Sequence, residues 1–331
     1  MASASSPSLP SITVLVLVLL TCLGPLRAFA PTKNGVLVAS RWRHHQQQPS
    51  PAGGRSSTST TLQVQRNQIL EVEGGQICYD IARATDRAGP PIVYLPGLIR
   101  PKSEAKSLNL QAFCRKAGFT FLCADYYGNG RSSGSPTDGT VGRFVRDTIT
   151  LIDKLLGTSQ GKVVLVGHGV GAWVAFLVAM KRPDLVSGIV GMAADPDFTE
   201  ELLWKKLPED VKDKIMKDGV CEITWGNEKY PISRNLIEDG RNNLLLAGPP
   251  GSIPVSCPVR LIHGLSDEEV PMELALKLLA NCASRDTALT LIKSSTHAME
   301  DEQDMKTMRS MILEVMTNYQ GDFDLRSPGS G

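Results

Sequence analysis

Three histidines occur in the body of this 331-residue chain, His168, His263 and His297, and each falls at or just past the C-terminal end of an apolar run that reads as a strand. In open sheets of parallel strands that edge is where ligands bind. His297 lies in Lys293-Ser294-Ser295-Thr296-His297-Ala298-Met299, after the last such run. Asp267 lies in His263-Gly264-Leu265-Ser266-Asp267-Glu268-Glu269-Val270-Pro271, after the run before it. A carboxylate beside an imidazole fixes its tautomer and stabilises its cation, and the imidazole can then take a proton from an attacking group. The attacking group belongs on a third segment, Lys162-Val163-Val164-Leu165-Val166-Gly167-His168-Gly169-Val170-Gly171, a strand running into a tight turn and a helix. The pattern for a nucleophile on such a turn is G-x-S-x-G. Here it reads G-H-G-V-G, and Gly169 stands at the nucleophile position.

The order 169, Asp267, His297 is nucleophile, acid, base, and the spacing of the H-G-x-x-D-x-x-V-P stretch selects Asp267 over Glu268 and Glu269. Two oxyanion donors are expected from the backbone. One is the N–H of Val170, at the start of a helix whose dipole favours negative charge. The other is the N–H of Leu98, after Pro96-Gly97. Neither needs the missing hydroxyl. Ser132, Ser133 and Ser266 are candidate replacements by chemistry, but their setting among glycines and acidic residues suits turns. His168 has a packing role as its simplest reading.

These positions need a particular scaffold. Strands are expected at Gln76–Ala82, Pro91–Leu95, Thr120–Ala124, Lys162–Val166, Val186–Ala193, Val259–Ile262 and Leu289–Ile292. Helices are expected at Ala105–Ala117, Val141–Leu156, Val170–Lys181 and Glu300–Asn318. The alternation predicts an α/β fold, with a mostly parallel central sheet covered by helices on both faces. Asp195 to Pro254 breaks the rhythm. It is charged, with helix-like pieces at Glu200–Lys206, Glu209–Lys217 and Ile232–Ala247, and is expected to form a small cap over the site. The domain is expected over residues 66–320, with a frayed tail over 321–331.

The first 65 residues are of a different kind. No acidic residue precedes Glu71, so the chain's net charge of +1 hides a basic leader on a mildly acidic body. The body has no basic stripe, which argues against nucleic acid as a partner. The apolar run Ser11–Leu20 is short for a membrane span and suits a signal peptide over residues 1–30, ending near Arg27-Ala28-Phe29-Ala30-Pro31. Residues 31–65 are hydroxyl- and glutamine-rich and acid-free, the composition of a transit peptide. Together they resemble the bipartite plastid presequence of algae with secondary plastids; a secretory signal followed by a linker is the alternative. No membrane span is expected in the mature chain. The seven cysteines show no paired or metal-ligand spacing, so neither a metal site nor a disulfide framework is expected.

The chain resembles the organellar palmitoyl-protein thioesterases, also described as acyl-glucuronide esterases, a branch of the α/β-hydrolases. The likeness runs from about Gly89 to Met316. It is carried by Leu95-Pro96-Gly97, by Asp125-Tyr126-Tyr127-Gly128-Asn129-Gly130-Arg131-Ser132-Ser133, by Leu207-Pro208-Glu209-Asp210-Val211-Lys212, and by Ile253 to Gly264 (IPVSCPVRLIHG). The resemblance implies the α/β-hydrolase fold and hydrolysis of acyl thioesters or esters, on small molecules or acylated proteins, without a cofactor. It implies Asp267 and His297 as acid and base, and a mitochondrial address as a further alternative.

Gly169 departs from that pattern. Glycine adopts the strained angles of such a turn freely and removes the hydroxyl. In subtilisin, losing the serine costs roughly 10⁶-fold in turnover. Three readings follow. The protein hydrolyses acyl substrates weakly, through activated water or another nucleophile; it binds an acyl ligand without turnover; or it is a remnant that interacts through its cap.

Overall fold

The structure, a computed structural model, describes residues 64–84, 89–157, 161–225 and 228–324, without the side chains of 318–324. The expected presequence (1–65) lies outside this description except for its last two residues.

Strands β1 (Val64–Val72) and β2 (Gly75–Ala82) form an antiparallel hairpin. Strand β3 (Ile92–Leu95) leads to helix α1 (Ala105–Ala117) and strand β4 (Phe121–Ala124). Helix α2 (Val141–Leu155), strand β5 (Val163–His168), helix α3 (Val170–Lys181) and strand β6 (Val186–Met192) follow. The main sheet resumes at β9 (Val259–Gly264), helix α6 (Met272–Asn281), β10 (Thr287–Ile292) and helix α7 (Glu302–Asp324). The sheet order is β1-β2-β4-β3-β5-β6-β9-β10. β2 pairs antiparallel with β4, and every pairing from β4 to β10 is parallel.

Alternation along the strands builds two cores. On β5, Val163 and Leu165 face the same core as Trp173 and Phe176 of α3 and Phe144 of α2. Val164 and Val166 face the opposite core, with Leu110 of α1 and Met308 and Ile312 of α7. Strand β3 divides the same way, Val93 and Leu95 against Ile92 and Tyr94. This is the period-two pattern of a sheet buried on both faces. Helix α3 is buried on nearly every side, so its sequence is apolar all round rather than striped.

The strand order positions the site. From β3 the chain moves outward to β4; from β5 it moves the other way, to β6. The direction reverses between β3 and β5, and the connections leaving their C-terminal ends part there and open a crevice. Those ends carry Pro96-Gly97-Leu98 and His168-Gly169.

Several elements differ from expectation. Between β6 and β9 lie a π-helical turn (Thr199–Trp204), helix α4 (Glu209–Asp218), the antiparallel pair β7 (Val220–Trp225) and β8 (Glu228–Ser233), and helix α5 (Arg234–Arg241). The helix expected over Ile232–Ala247 is therefore shorter. Ser233 ends it on the N-terminal side, accepting from the Leu236 N–H as its cap. β1 and α6 occupy stretches that the sequence reading leaves unassigned. β1 begins two residues before the expected domain start, and α7 runs to Asp324, four past the expected end.

Candidate active site

Gly169 sits between β5 and α3 with φ 54° and ψ −122°. Its flanking glycines are enforced by contact. A Cβ on Gly171 would stand 2.1 Å from the Leu95 carbonyl oxygen, and one on Gly167 would stand 2.3 Å from the Gly171 carbonyl carbon. A Cβ on Gly169 itself meets only ordinary contacts, Asp195 Oδ2 at 3.4 Å and His297 Nε2 at 3.8 Å. Position 169 thus has room for a side chain, which would lie within reach of both Asp195 and the imidazole.

Asp267 and His297 are brought together. Asp267 Oδ2 lies 3.0 Å from His297 Nδ1, while Asp267 Oδ1 accepts from the N–H groups of Glu269 (2.9 Å) and Val270 (2.8 Å). The Asp267 side chain is fully buried. Burial pushes its carboxyl up, but the hydrogen bond and charge of His297, with the two N–H groups, outweigh it and hold it below the usual range. Burial lowers His297; its bond to Asp267 and the nearby charges of Asp267, Asp195 and Glu269 raise it overall.

Three contacts fix the loop that carries His297. His168 Nε2 donates to the His297 carbonyl at 2.8 Å. Lys106 Nζ, itself buried, donates to the Ala298 carbonyl at 2.9 Å. The Ser295 hydroxyl donates to Asp304 at the start of α7. His168 is held well below the usual histidine range, first by burial and then by the charges of Lys106 and His297, so it is the neutral Nε2–H tautomer. His263 is buried too, its Nε2 donating to the Val270 carbonyl at 3.1 Å.

The cleft over Gly169 has a volume of about 490 Å³. Leu98, His168, Gly169, Asp195 and His297 line it, with Trp225, Glu228 and Tyr230 from the β7–β8 pair. A run of rings joins that pair to the body: Trp173 to Phe198 (5.8 Å), Phe198 to Trp225 (5.7 Å), Trp225 to Tyr230 (6.5 Å). The cleft is polar as well as aromatic, because Arg100, Glu104, Lys106 and Glu269 also reach it. The Leu98 backbone follows Gly97 at its rim, and the Val170 N–H opens α3 with no acceptor inside the helix.

The three alternative serines are occupied elsewhere. Ser132 Oγ donates to the Asp125 carbonyl and accepts from the Cys78 N–H. Ser133 Oγ accepts from the Gln76 N–H, and Ser266 Oγ donates to the Lys293 carbonyl. Asp195 is the residue that sequence reasoning misses. It is 6% exposed, beside position 169, with burial and the charges of Asp267 and Glu269 pushing its carboxyl up to about 8 against the pull of His297. One local signal exists: it closes the run Met192-Ala193-Ala194-Asp195, directly after a predicted strand.

Backbone strain gathers at this edge. Ile99 (φ 55°), Ala193 (φ 42°), Asp197 (φ 60°) and Met299 (φ 48°) each lie within two residues of Leu98, Asp195 or His297. Non-glycine residues in this region cost about 1–3 kcal/mol each and cluster at functional sites.

Residues 90–216 match the family model described as the alpha/beta hydrolase fold. The chain is 32% identical over 230 residues to a mitochondrial palmitoyl-protein thioesterase ABHD10 of Bos taurus, covering 69% of this chain and 73% of that protein. The Homo sapiens counterpart is 30% identical over the same shares. Among solved structures, the mouse alpha/beta hydrolase domain-containing protein 10 superposes with a TM-score of 0.67 at 27% identity, over 76% of this chain and 98% of that one. A putative hydrolase from Agrobacterium vitis superposes with a TM-score of 0.70 at 27% identity, over 77% of this chain and 99% of that one.

Proposed function

The chain belongs to the α/β-hydrolase family, related to the ABHD10 palmitoyl-protein thioesterases, and from that premise we infer that it hydrolyses acyl thioesters or esters by direct attack of water rather than through an acyl-serine. The observation that carries this reading is the pairing of Asp267 with His297 at 3.0 Å, with Nε2 facing the position where Gly169 lacks a side chain. His297 acts as base toward water, Asp267 holds it in the Nδ1–H tautomer, and the N–H groups of Leu98 and Val170 receive the oxyanion. No cofactor enters the scheme. Without an attacking hydroxyl, the oxyanion donors and binding leave roughly 10³–10⁴-fold acceleration over water, so turnover is slow.

The test is hydrolysis of a short acyl thioester by the mature chain beside His297→Ala. A measurable rate that His297→Ala abolishes supports the reading; an equal rate in both overturns it. The missing hydroxyl favours a second reading, an acyl-ligand binder without turnover. Binding that survives His297→Ala with no hydrolysis at all would select it.

The substrate is an acyl thioester or ester, free or on an acylated protein. For the leader we retain the plastid reading, while the relatives' names specify mitochondria. Residues 1–65 fused to a fluorescent protein would decide by co-localisation with chlorophyll or with a mitochondrial dye. Among the described residues no helix is long and apolar enough to cross a membrane.

A further inference from the structure

Two acceptors bound the space that a side chain at position 169 would fill. The nearest polar atoms to an ideal Cβ there are Asp195 Oδ2 at 3.4 Å and His297 Nε2 at 3.8 Å. Asp195 is almost wholly buried and lines the cleft; its Oδ2 is the oxygen nearest position 169, and its Oδ1 has no hydrogen-bond partner either, so the carboxyl is poorly satisfied by the protein itself. Burying a carboxyl group whose hydrogen bonds are unmade is costly. The backbone around it adds to that cost, with Ala193 and Asp197 both at positive φ. Neither the Asp267–His297 pair nor the oxyanion donors explain a carboxylate held at this point.

We propose that Asp195 is a catalytic residue, the second acceptor of the attacking water: the water sits over Gly169, gives one hydrogen to His297 Nε2 and the other to Asp195 Oδ2, and presents its lone pair to the acyl carbon. The proposal rests on the hydrolytic reading above. As the new C–O bond forms, His297 Nε2 takes the water's proton and the carbonyl electrons move to the oxyanion. Collapse breaks the C–S or C–O bond to the leaving group, which takes the proton from His297. Asp195 ends the cycle as it began, a carboxylate, and its charge steadies the imidazolium midway.

The arrangement predicts its own pH dependence. A protonated Asp195 would donate to the water and turn the lone pair away from the substrate. Burial raises the Asp195 carboxyl, with Asp267 and Glu269 adding to the rise and His297 opposing it, while Tyr126, whose own hydroxyl is raised by burial and by the Asp195 charge, is a neutral neighbour. Activity therefore climbs into the alkaline range as Asp195 ionises.

The experiment uses the mature chain, with p-nitrophenyl acetate and a short acyl thioester as probes. Asp195→Asn should lower kcat at least roughly tenfold, at the cautious end of general-base effects, with little change in KM and with the alkaline rise abolished. Asp195→Ala should behave alike, and serves if the amide variant misfolds. In ¹⁸O-water, a single turnover of the wild-type chain should place label in the released acid alone. Label in the Asp195 carboxyl would instead reveal a mixed anhydride and overturn the water-holding role. Histidine titration by ¹⁵N NMR is independent of turnover: Asp195→Asn should lower the His297 pKa, and an unchanged value overturns the proposal. If the wild type hydrolyses neither probe, the hydrolytic reading fails and the catalytic role of Asp195 falls with it. If it hydrolyses them and Asp195→Asn keeps both rate and pH profile, the proposal fails and the hydrolytic reading stands.

Discussion

His168 Nε2 donates to the carbonyl of His297 at 2.8 Å, tying the residue before Gly169 to the loop that pairs with Asp267. The rings of the two residues lie 5.1 Å apart. The turn at Gly169 and the loop that carries His297 are therefore joined directly. An added Cβ at position 169 would meet only ordinary contacts, Asp195 Oδ2 at 3.4 Å and His297 Nε2 at 3.8 Å, so the site can be probed by substitution there.

Gly169→Ser should raise hydrolysis of a short acyl thioester at least roughly tenfold, a cautious fraction of the loss seen when such a serine is removed. The side chain fits without clash, within reach of Asp195 Oδ2 and His297 Nε2. It should also bring fluorophosphonate labelling, which the native chain should lack. The positive φ of Gly169 costs a non-glycine residue about 1–3 kcal/mol, so a lower Tm should accompany the gain. A native chain that labels as strongly as the variant would remove the case for a disarmed elbow.

Gly171→Ala should be worse for folding than Gly169→Ala. The added Cβ at 171 would press on the Leu95 and Pro96 carbonyl oxygens at 2.1 and 2.7 Å, with no flexible side chain to give way. Overpacking of this kind costs about 1–3 kcal/mol or more. Thermal melts of the two variants should show the larger loss at 171.

The central elements were legible in the sequence because each is an apolar run closed by glycine or proline. Helices α1 and α3 fall at the expected residues, and the β5 turn is marked by its glycines. The β7–β8 pair was not, although Val220 to Trp225 alternates and a Gly-Asn dipeptide follows. Its strands are charged and half exposed, and they take their hydrophobic support from Phe198 and Trp173 far along the chain. Strand β1 is mostly exposed and lacks a strong apolar alternation. Asp195 stayed hidden because its neighbours arrive on separate loops, at 169, 267–269 and 297. No local spacing records that convergence.

Asp267→Asn should lower the rate of the native chain and of Gly169→Ser by roughly 10²–10⁴-fold, as loss of the correct imidazole tautomer does elsewhere. In Gly169→Ser, where a hydroxyl takes the place of the water held by Asp195, the pH profile follows from His297. Its pKa is raised in the folded protein, so the neutral base is lost as pH falls through a value above 6.5, and the acid limb should lie there. Asp267→Asn should move that limb to lower pH. For stability the signs differ: the Asp267 contribution is present above its unfolded pKa and disappears as pH falls through its lowered folded value, while that of His297 disappears as pH rises through its raised one.

Asp197→Ala should loosen the segment over the cleft. The Asp197 carboxylate is buried and accepts from the N–H groups of Leu245 and Leu246, both at 2.7 Å. Its removal leaves two buried donors unpaired, at about 1–3 kcal/mol each. Hydrogen exchange should show faster opening around 245–246, with β5 and β6 unchanged.

Asp195 makes a separate prediction about stability. Burial raises its carboxyl from 3.8 to about 8 in the folded state. The folded protein therefore holds this proton more tightly than the unfolded chain does. Below the unfolded pKa the group is neutral in both states and costs nothing by ionisation. As pH rises from there toward 8, the unfolded chain gains charge freely while the folded one resists, and native stability falls. Asp195→Asn removes the titration and keeps the shape. Its Tm relative to wild type should therefore climb between about pH 5 and pH 8, then level off. The raised pKa of His297 tilts the wild-type curve in the same direction, and the charge of Asp195 is one of the influences holding it up. Part of the variant's gain at neutral pH should therefore be offset by weaker protonation of His297. A Tm difference that stays flat across this range would mean that Asp195 is ionised throughout, and the alkaline rise in activity expected from it would then be absent as well.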